Sequence, residues 1–316
     1  MPQPLLVAAA AITNEQGQVL IARRPASVEQ GGLWEFPGGK LAPYETGLQA
    51  LKREIHEELG IEVVHARPLI RVRHHYPEKS VLLDVWKVLK FTGEPWGREG
   101  QPIRWVAMSD LPSYSFPAAN KPIMTAIQLP DEYAITGEFE SHEQALYQLN
   151  TLLEQGAKLI QLRAPWLDAE DYRQLAQRFL PACRQAGARL VLNAAPELLQ
   201  QVDADGIHLT AERLAAQDYR PVSSDKWLSA ACHDQASLRH AEKIQADLVT
   251  LSPLLPTPTH PDAIPLGWNG FRTMIENCTI PVYALGGMSA KDKDRVFGLG
   301  GQGVAGISQF WSSHSS

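Results

Sequence analysis

A chain of 316 residues exceeds one typical compact core, so two domains are expected. With 44% hydrophobic and 20% charged residues it has the make-up of a globular protein, and its net charge of −6 excludes electrostatic capture of nucleic acid as the main task. The three cysteines (Cys183, Cys232, Cys278) are far apart and form no C-x-x-C pair, and the apolar run Leu5–Ile12 is only strand length with no basic flank. Buried free thiols, no membrane span, no secretory leader and a cytoplasmic location are therefore expected.

In chain order, strand-like runs occur at Leu5–Ile12, Val19–Ala22, Val81–Leu89 and Ile103–Met108. A strong helix is predicted over about Thr46–Leu59, closed by Gly60, and a weaker one over Lys121–Gln128. Leu129-Pro130-Asp131 breaks the second helix, which sets expected domains at 1–130 and 131–316. Beyond the break, eight short apolar strands alternate with helical stretches: Tyr133–Thr136, Lys158–Arg163, Arg189–Asn193, Gly206–Leu209, Trp227–Cys232, Asp247–Ser252, Pro281–Leu285 and Gly303–Ser308. That rhythm predicts a compact (β/α)8 barrel, with a doubly wound open sheet as its rival.

The segment that carries chemistry is Gly39–Ile61. It reads Gly39, five residues, Glu45, seven residues, Arg53-Glu54-Ile55, one residue, Glu57-Glu58, one residue, Gly60-Ile61. Glu54, Glu57 and Glu58 share one helical face, where like charges repel by ~0.2–0.5 kcal/mol per pair. A hard divalent cation removes that conflict, since Mg²⁺ seeks carboxylate oxygens and substrate phosphates, and Mn²⁺ accepts similar shells. A solvated acidic face would explain three helical glutamates alone. It does not explain the flanking positions, which would coincide by chance about once in 10⁹ sites. The preceding Pro37-Gly38-Gly39 lets backbone approach a ligand closely.

This pattern resembles the Nudix box without a departure, and the likeness extends over roughly residues 4–128 to the MutT type, the Nudix enzymes that remove oxidised guanine nucleotides from the precursor pool. Arg23-Arg24, Trp34–Lys40, Gly93–Pro102 and Phe116–Asn120 carry the longer match. The resemblance implies an α/β/α sandwich with a mixed sheet, Mg²⁺, and cleavage of a nucleoside triphosphate to monophosphate and pyrophosphate, with water attacking the β-phosphorus. It implies Glu54 as general base held by Arg53, and a metal held by Glu57, Glu58, Glu99 and a carbonyl of the glycine pair, that of Gly39. Arg24, Phe36 and Lys40 are implied at the nucleotide, with Asn120 reading the purine edge, a role suited to an amide with both donor and acceptor. Tyr76-Pro77-Glu78-Lys79 stands where the best-studied pattern has Phe-Pro-Asp-Arg, so Glu78 and Lys79 are expected at the substrate with weaker base discrimination.

Residues 133–310 resemble thiamine phosphate synthase and its sister, the thiazole tautomerase. The likeness rests on Tyr133–Gly137, Leu159–Arg163, Asp205–Leu209, Leu254–Asp262 and Ala284–Met288. It implies a phosphorylated small-molecule ligand near Arg163, Thr257, Thr259, Gly286, Gly287 and Ser308, with backbone donors at short helix starts, and places His233 where the tautomerase has its acid/base histidine. The likeness fails at the synthase's metal acids. Its Asn-Asp reads Asn193-Ala194, its second aspartate falls at Arg213, and its lysine after Pro-Thr-x-Thr is His260. Loss of synthase activity is the expectation. The fusion leaves open a second reading, in which the Nudix pocket takes a thiamine-pathway pyrophosphate and the barrel is a regulatory module or tautomerase.

Overall fold

The computed structural model describes residues 4–27, 30–76, 80–257 and 262–311, and the chain divides into two compact units, Met1–Gln128 and Leu129–Ser316. In the first unit, β1 (Leu5–Ile12), β2 (Gln18–Arg23), β3 (Trp34–Glu35) and β4 (Gly38–Lys40) precede helix α1 (Gly47–Leu59). Strands β5 (Glu62–His75), β6 (Ser80–Thr92) and β7 (Ile103–Ala107) follow, then α2 (Lys121–Gln128). A mixed sheet has the order β4-β1-β6-β5, with β1 and β6 parallel, and an antiparallel sheet has the order β3-β2-β7.

Strand β1 shows why the mixed sheet is covered on both faces. Its alternate residues diverge. Ala8, Ala10 and Ile12 join Leu51, Ile55 and Leu59 of α1 in one core, while Ala9 and Ala11 join Ile123, Ala126 and Ile127 of α2 in another. Burying each large aliphatic of α1 contributes roughly 1.5–3 kcal/mol. The sandwich implied by the resemblance is the observed architecture. Helix α1 starts at a capping box between Thr46 and Gln49 and ends at Gly60 in the left-handed conformation.

The sequence reading did not anticipate β5 and shortened β6. Register shifts between Val63 and His65, His65 and Ala66, and Pro68 and Ile70 scramble the alternation by which a strand is recognised.

In the second unit the eight expected strands are all present: β8 (Glu132–Ile135), β9 (Leu159–Leu162), β10 (Arg189–Leu192), β11 (Gly206–Leu209), β12 (Trp227–Cys232), β13 (Leu248–Leu251), β14 (Val282–Ala284) and β15 (Gly303–Gly306). All run parallel, and pairing of Val304, Ala305 and Gly306 with Glu132, Tyr133 and Ala134 closes the ring. That pairing excludes the open sheet. Six helices, α3 (His142–Glu154), α4 (Ala169–Gln185), α5 (Ala211–Ala215), α6 (Gln235–Lys243), α7 (Gly267–Ile275) and α8 (Lys293–Leu299), serve the crossovers, and a 3₁₀ turn at Pro196–Gln200 replaces a helix after β10. Strands of three to six residues and such reduced crossovers explain how a barrel fits this length.

Tyr133, Leu159, Val191, Leu248 and Tyr283 fill the barrel interior, while Ile160, Leu162, Leu190, Ile207 and Val249 face the helices. Cys183, Cys232 and Cys278 are buried and unpaired, and burial pushes the first two thiols up to about 12. No helix among the described residues is long and apolar enough to cross a membrane.

Candidate active site

In the first unit the site is assembled around the C-terminal half of α1 and the glycine pair that faces it. Arg53 is its hub. Its Nε and Nη2 donate to the two carboxylate oxygens of Glu45 at 2.9 and 2.8 Å, a bidentate fork, and Nη2 also reaches the Lys40 carbonyl at 3.1 Å. Nη1 donates to Glu54 at 2.7 Å and to Glu57 at 3.1 Å. The Arg53 hydrogen bonds hold the Glu45 carboxyl below its usual range, and Glu45 and Glu54 push the Arg53 guanidinium further up. The fork fixes the arginine, and the arginine fixes Glu54.

Gly38 and Gly39 press against the other side of that carboxylate set. The Gly38 amide donates to Glu58 Oε2 at 3.1 Å, and its φ of +145° with a virtual Cβ 2.1 Å from the Ala8 carbonyl oxygen admits only glycine. A Cβ on Gly39 would stand 2.2 Å from Glu54 Oε2. The bare glycine leaves that space to the carboxylate. The loop 93–102 brings a further acid, Glu99. Trp96 N and Arg98 N donate to the Leu59 and Glu58 carbonyls, and Arg98 Nη1 and Gln101 Nε2 donate to the His56 and Glu58 carbonyls. These bonds satisfy the helix's last carbonyls and hold Glu99 within electrostatic reach of Glu58.

Burial pushes the Glu58 carboxyl up to about 8; the Gly38 amide opposes this, and the charges of Glu35, Glu99 and Glu54 add to it. Among the described residues no three acidic, histidine or cysteine side chains close on one point, because Glu57 is drawn to Arg53 while Glu58 turns to Gly38. Mg²⁺ characteristically takes one or two protein carboxylates and completes its shell with water and phosphate oxygens. Crowded carboxylates, one of them pushed up by burial, beside backbone that carries no side chain, are a donor set that fits such an ion.

A cavity of about 250 Å³ opens beside the glycine pair. Arg24, Phe36, Lys40 and Asn120, all named from sequence, line it together with Gly39 and with Glu35, Tyr76 and Leu83. Phe36 is buried and stacks on Phe116 with centroids 5.8 Å apart. Asn120 is 7% exposed and lines the cavity. Glu78 and Lys79 lie outside the described residues. Sequence reasoning missed the Arg24–Glu35 ion pair in the cavity wall, where burial raises the Glu35 carboxyl against the lowering effect of Arg24. It also left Glu45 without a role, although the spacing of eight to Arg53 was the available signal.

In the barrel, Arg163 follows β9, and His233 follows β12 with Nδ1 donating to the Ser252 carbonyl at 2.8 Å. Gly286 and Gly287 follow β14 at positive φ, and Thr257 is half-buried in the loop after β13. Thr259 lies outside the described residues. Ser308 is exposed, in a turn that Phe310 and Trp311 close onto the Ile307 carbonyl. Near Gly287 the 3₁₀ turn Ala290–Asp292 has its first donors taken by a box between Ser289 and Asp292.

A carboxylate-faced helix behind a glycine pair, held by one arginine, defines a Nudix-type hydrolase unit, here carried with a closed parallel barrel. The NUDIX domain family matches residues 8–126 and the thiamine monophosphate synthase family residues 132–310; the chain belongs to both, and its first unit is a Nudix hydrolase. It is 37% identical over 124 residues to an 8-oxo-dGTP diphosphatase of Escherichia coli, covering 39% of this chain and 96% of that one. It is 37% identical over 117 residues to a CTP pyrophosphohydrolase of the same organism, covering 37% and 87%. A putative thiamine-phosphate synthase 2 of Aquifex aeolicus is 33% identical over 184 residues, covering 58% of this chain and 99% of that protein.

Proposed function

We propose that the first unit hydrolyses oxidised purine nucleoside triphosphates, 8-oxo-dGTP among them, to the monophosphate and pyrophosphate, clearing them from the nucleotide pool. The observation that carries this reading is the single cavity in which Arg24, Phe36, Lys40 and Asn120 meet beside the Gly38-Gly39 backbone and its carboxylates. An asparagine at the cavity wall offers donor and acceptor together to a purine edge. Phe36 gives the base an apolar face. Arg24, tied to Glu35, gives it a charged wall.

Glu57, Glu58 and Glu99, with the Gly39 carbonyl, would hold Mg²⁺ or Mn²⁺. Such an ion neutralises charge on the phosphate oxygens. Glu54 is the base that takes the proton from the attacking water, and Arg53 keeps its carboxylate aimed. Gly39 leaves the approach to that carboxylate open. The barrel does not act as a thiamine-phosphate synthase, because Ala194 and Arg213 stand where the resemblance implies metal acids.

Phosphorus NMR of the products tests the cleavage. With Mg²⁺ the purified chain should release pyrophosphate and a nucleoside monophosphate from 8-oxo-dGTP, EDTA should stop the reaction, and Mn²⁺ should restart it. Release of orthophosphate and a diphosphate, or turnover undiminished in EDTA, contradicts the reading. A preference for CTP would favour a pyrimidine pocket of the kind the second E. coli relative's name describes.

A further inference from the structure

Glu99 reaches the carboxylate set of α1 from a loop, and loops are more mobile than the elements they join. The Gly100 amide donates to the Gly97 carbonyl at 3.0 Å, so Gly97–Gly100 is a β-turn with Arg98 and Glu99 at its two central positions. Glu99 therefore stands exposed at the tip, with no helix or strand of its own to fix it.

One side chain braces that tip. Gln101 is half-buried, and its amide is used at both ends. Oε1 accepts from the backbone amide of Glu99 at 2.9 Å, and Nε2 donates to the backbone carbonyl of Glu58 at 3.0 Å. The same carbonyl accepts from Arg98 N at 2.9 Å, so turn and side chain converge on one oxygen of the last turn of α1. Gly97 makes room for this bracket, because a Cβ there would stand 1.9 Å from the Gln101 carbonyl oxygen and 3.1 Å from Oε1.

Gln101 thus ties the main chain of Glu58 to the main chain of Glu99. Both tasks need one donor and one acceptor on the same short group, which among side chains of this length only an amide supplies. Capping of α1 accounts for the bond to the Glu58 carbonyl. It does not account for the second bond, which goes to the amide of the loop acid itself and holds that acid beside the helix.

We propose that Gln101 is a positioning residue of the hydrolase site, which acts through Glu58 and Glu99 and raises their joint affinity for a divalent cation. This role rests on the reading of Glu57, Glu58 and Glu99 as the ion's ligands, since the Gln101 amide bonds only to main chain.

Binding of Mn²⁺ to the full chain without nucleotide, read from the loss of the free ion's paramagnetic resonance signal, tests it. The wild type should bind Mn²⁺ at a site that Glu99→Gln weakens, and any ion held elsewhere is common to every variant and cancels. Gln101→Met, similar in length but without donor or acceptor pair, should weaken that site ~10-fold or more. Gln101→Asn, whose amide is one methylene too short to span both ends, should do the same and keeps the test decisive if the Met variant fails to fold. In the Glu99→Gln background, Gln101→Met should cost no more than about a further threefold, because residues that act through one another are not additive. Unchanged Mn²⁺ affinity in the Gln101 variants, or an equal loss with and without the Glu99 carboxylate, would overturn the role of Gln101 and leave the hydrolase reading standing. A wild type without a Glu99-dependent Mn²⁺ site would remove the metal reading itself, and this role with it.

Discussion

Lowering the pH from 7 to 5 should cost the barrel unit about 2 kcal/mol through His208 alone. The ring is buried inside the barrel, with Nδ1 2.8 Å from the Ser229 hydroxyl and the Tyr133 ring against it. Burial, reinforced by Arg213 and Arg163, lowers its pKa from 6.5 to about 3. Between those values the unfolded chain binds a proton that the folded chain refuses, so stability rises with pH across this window. The penalty is nearly nil above pH 7, grows as pH falls through 6.5, and levels off below about 3, where both states are protonated. Urea unfolding at pH 7 and pH 5, for the wild type and for His208→Gln, isolates the contribution. The glutamine keeps a polar partner for Ser229 but cannot titrate, so its own loss between the two pH values should be smaller by about 2 kcal/mol. Equal losses in the two proteins would refute the reasoning and mean that the ring is protonated or solvated in the folded barrel.

Two perturbations of the hydrolase site follow from its packing. Gly39→Ala places a methyl 2.2 Å from Glu54 Oε2, so the carboxylate must leave its Arg53-bound position, and kcat should fall at least ~100-fold. The unit's thermal transition should stay within a few degrees, since α1 and its caps are untouched, and retained kcat would contradict the assigned position of Glu54. Asn120→Ala removes the amide from the cavity wall; the ratio of kcat/KM for 8-oxo-dGTP over dGTP should drop ~10- to 100-fold with hydrolysis itself retained. An unchanged ratio would mean that another group reads the base.

What the sequence made legible follows from the range of the forces involved. The eight barrel strands stood out because each is a short apolar run buried on both faces, as Leu159–Leu162 and Leu248–Leu251 show. The carboxylate face of α1 stood out because helical spacing alone brings Glu54, Glu57 and Glu58 together. Strand β5 was hidden, since its bulges mix Arg and His with apolar residues out of step. The Glu45 fork, the Arg24–Glu35 pair and the Arg213–Asn193 contact were also hidden. Each joins residues whose proximity exists only after a loop has closed or neighbouring strands have paired.

The most direct test of the central claim is kcat/KM for 8-oxo-dGTP beside dGTP, measured on the purified chain with Mg²⁺ and with Glu54→Gln as control. The account predicts a strong preference for the oxidised base, abolished together with turnover in the control. Equal or negligible turnover of both nucleotides, by a chain that still hydrolyses other diphosphates through Glu54, would contradict it and give the pocket to a different pyrophosphate.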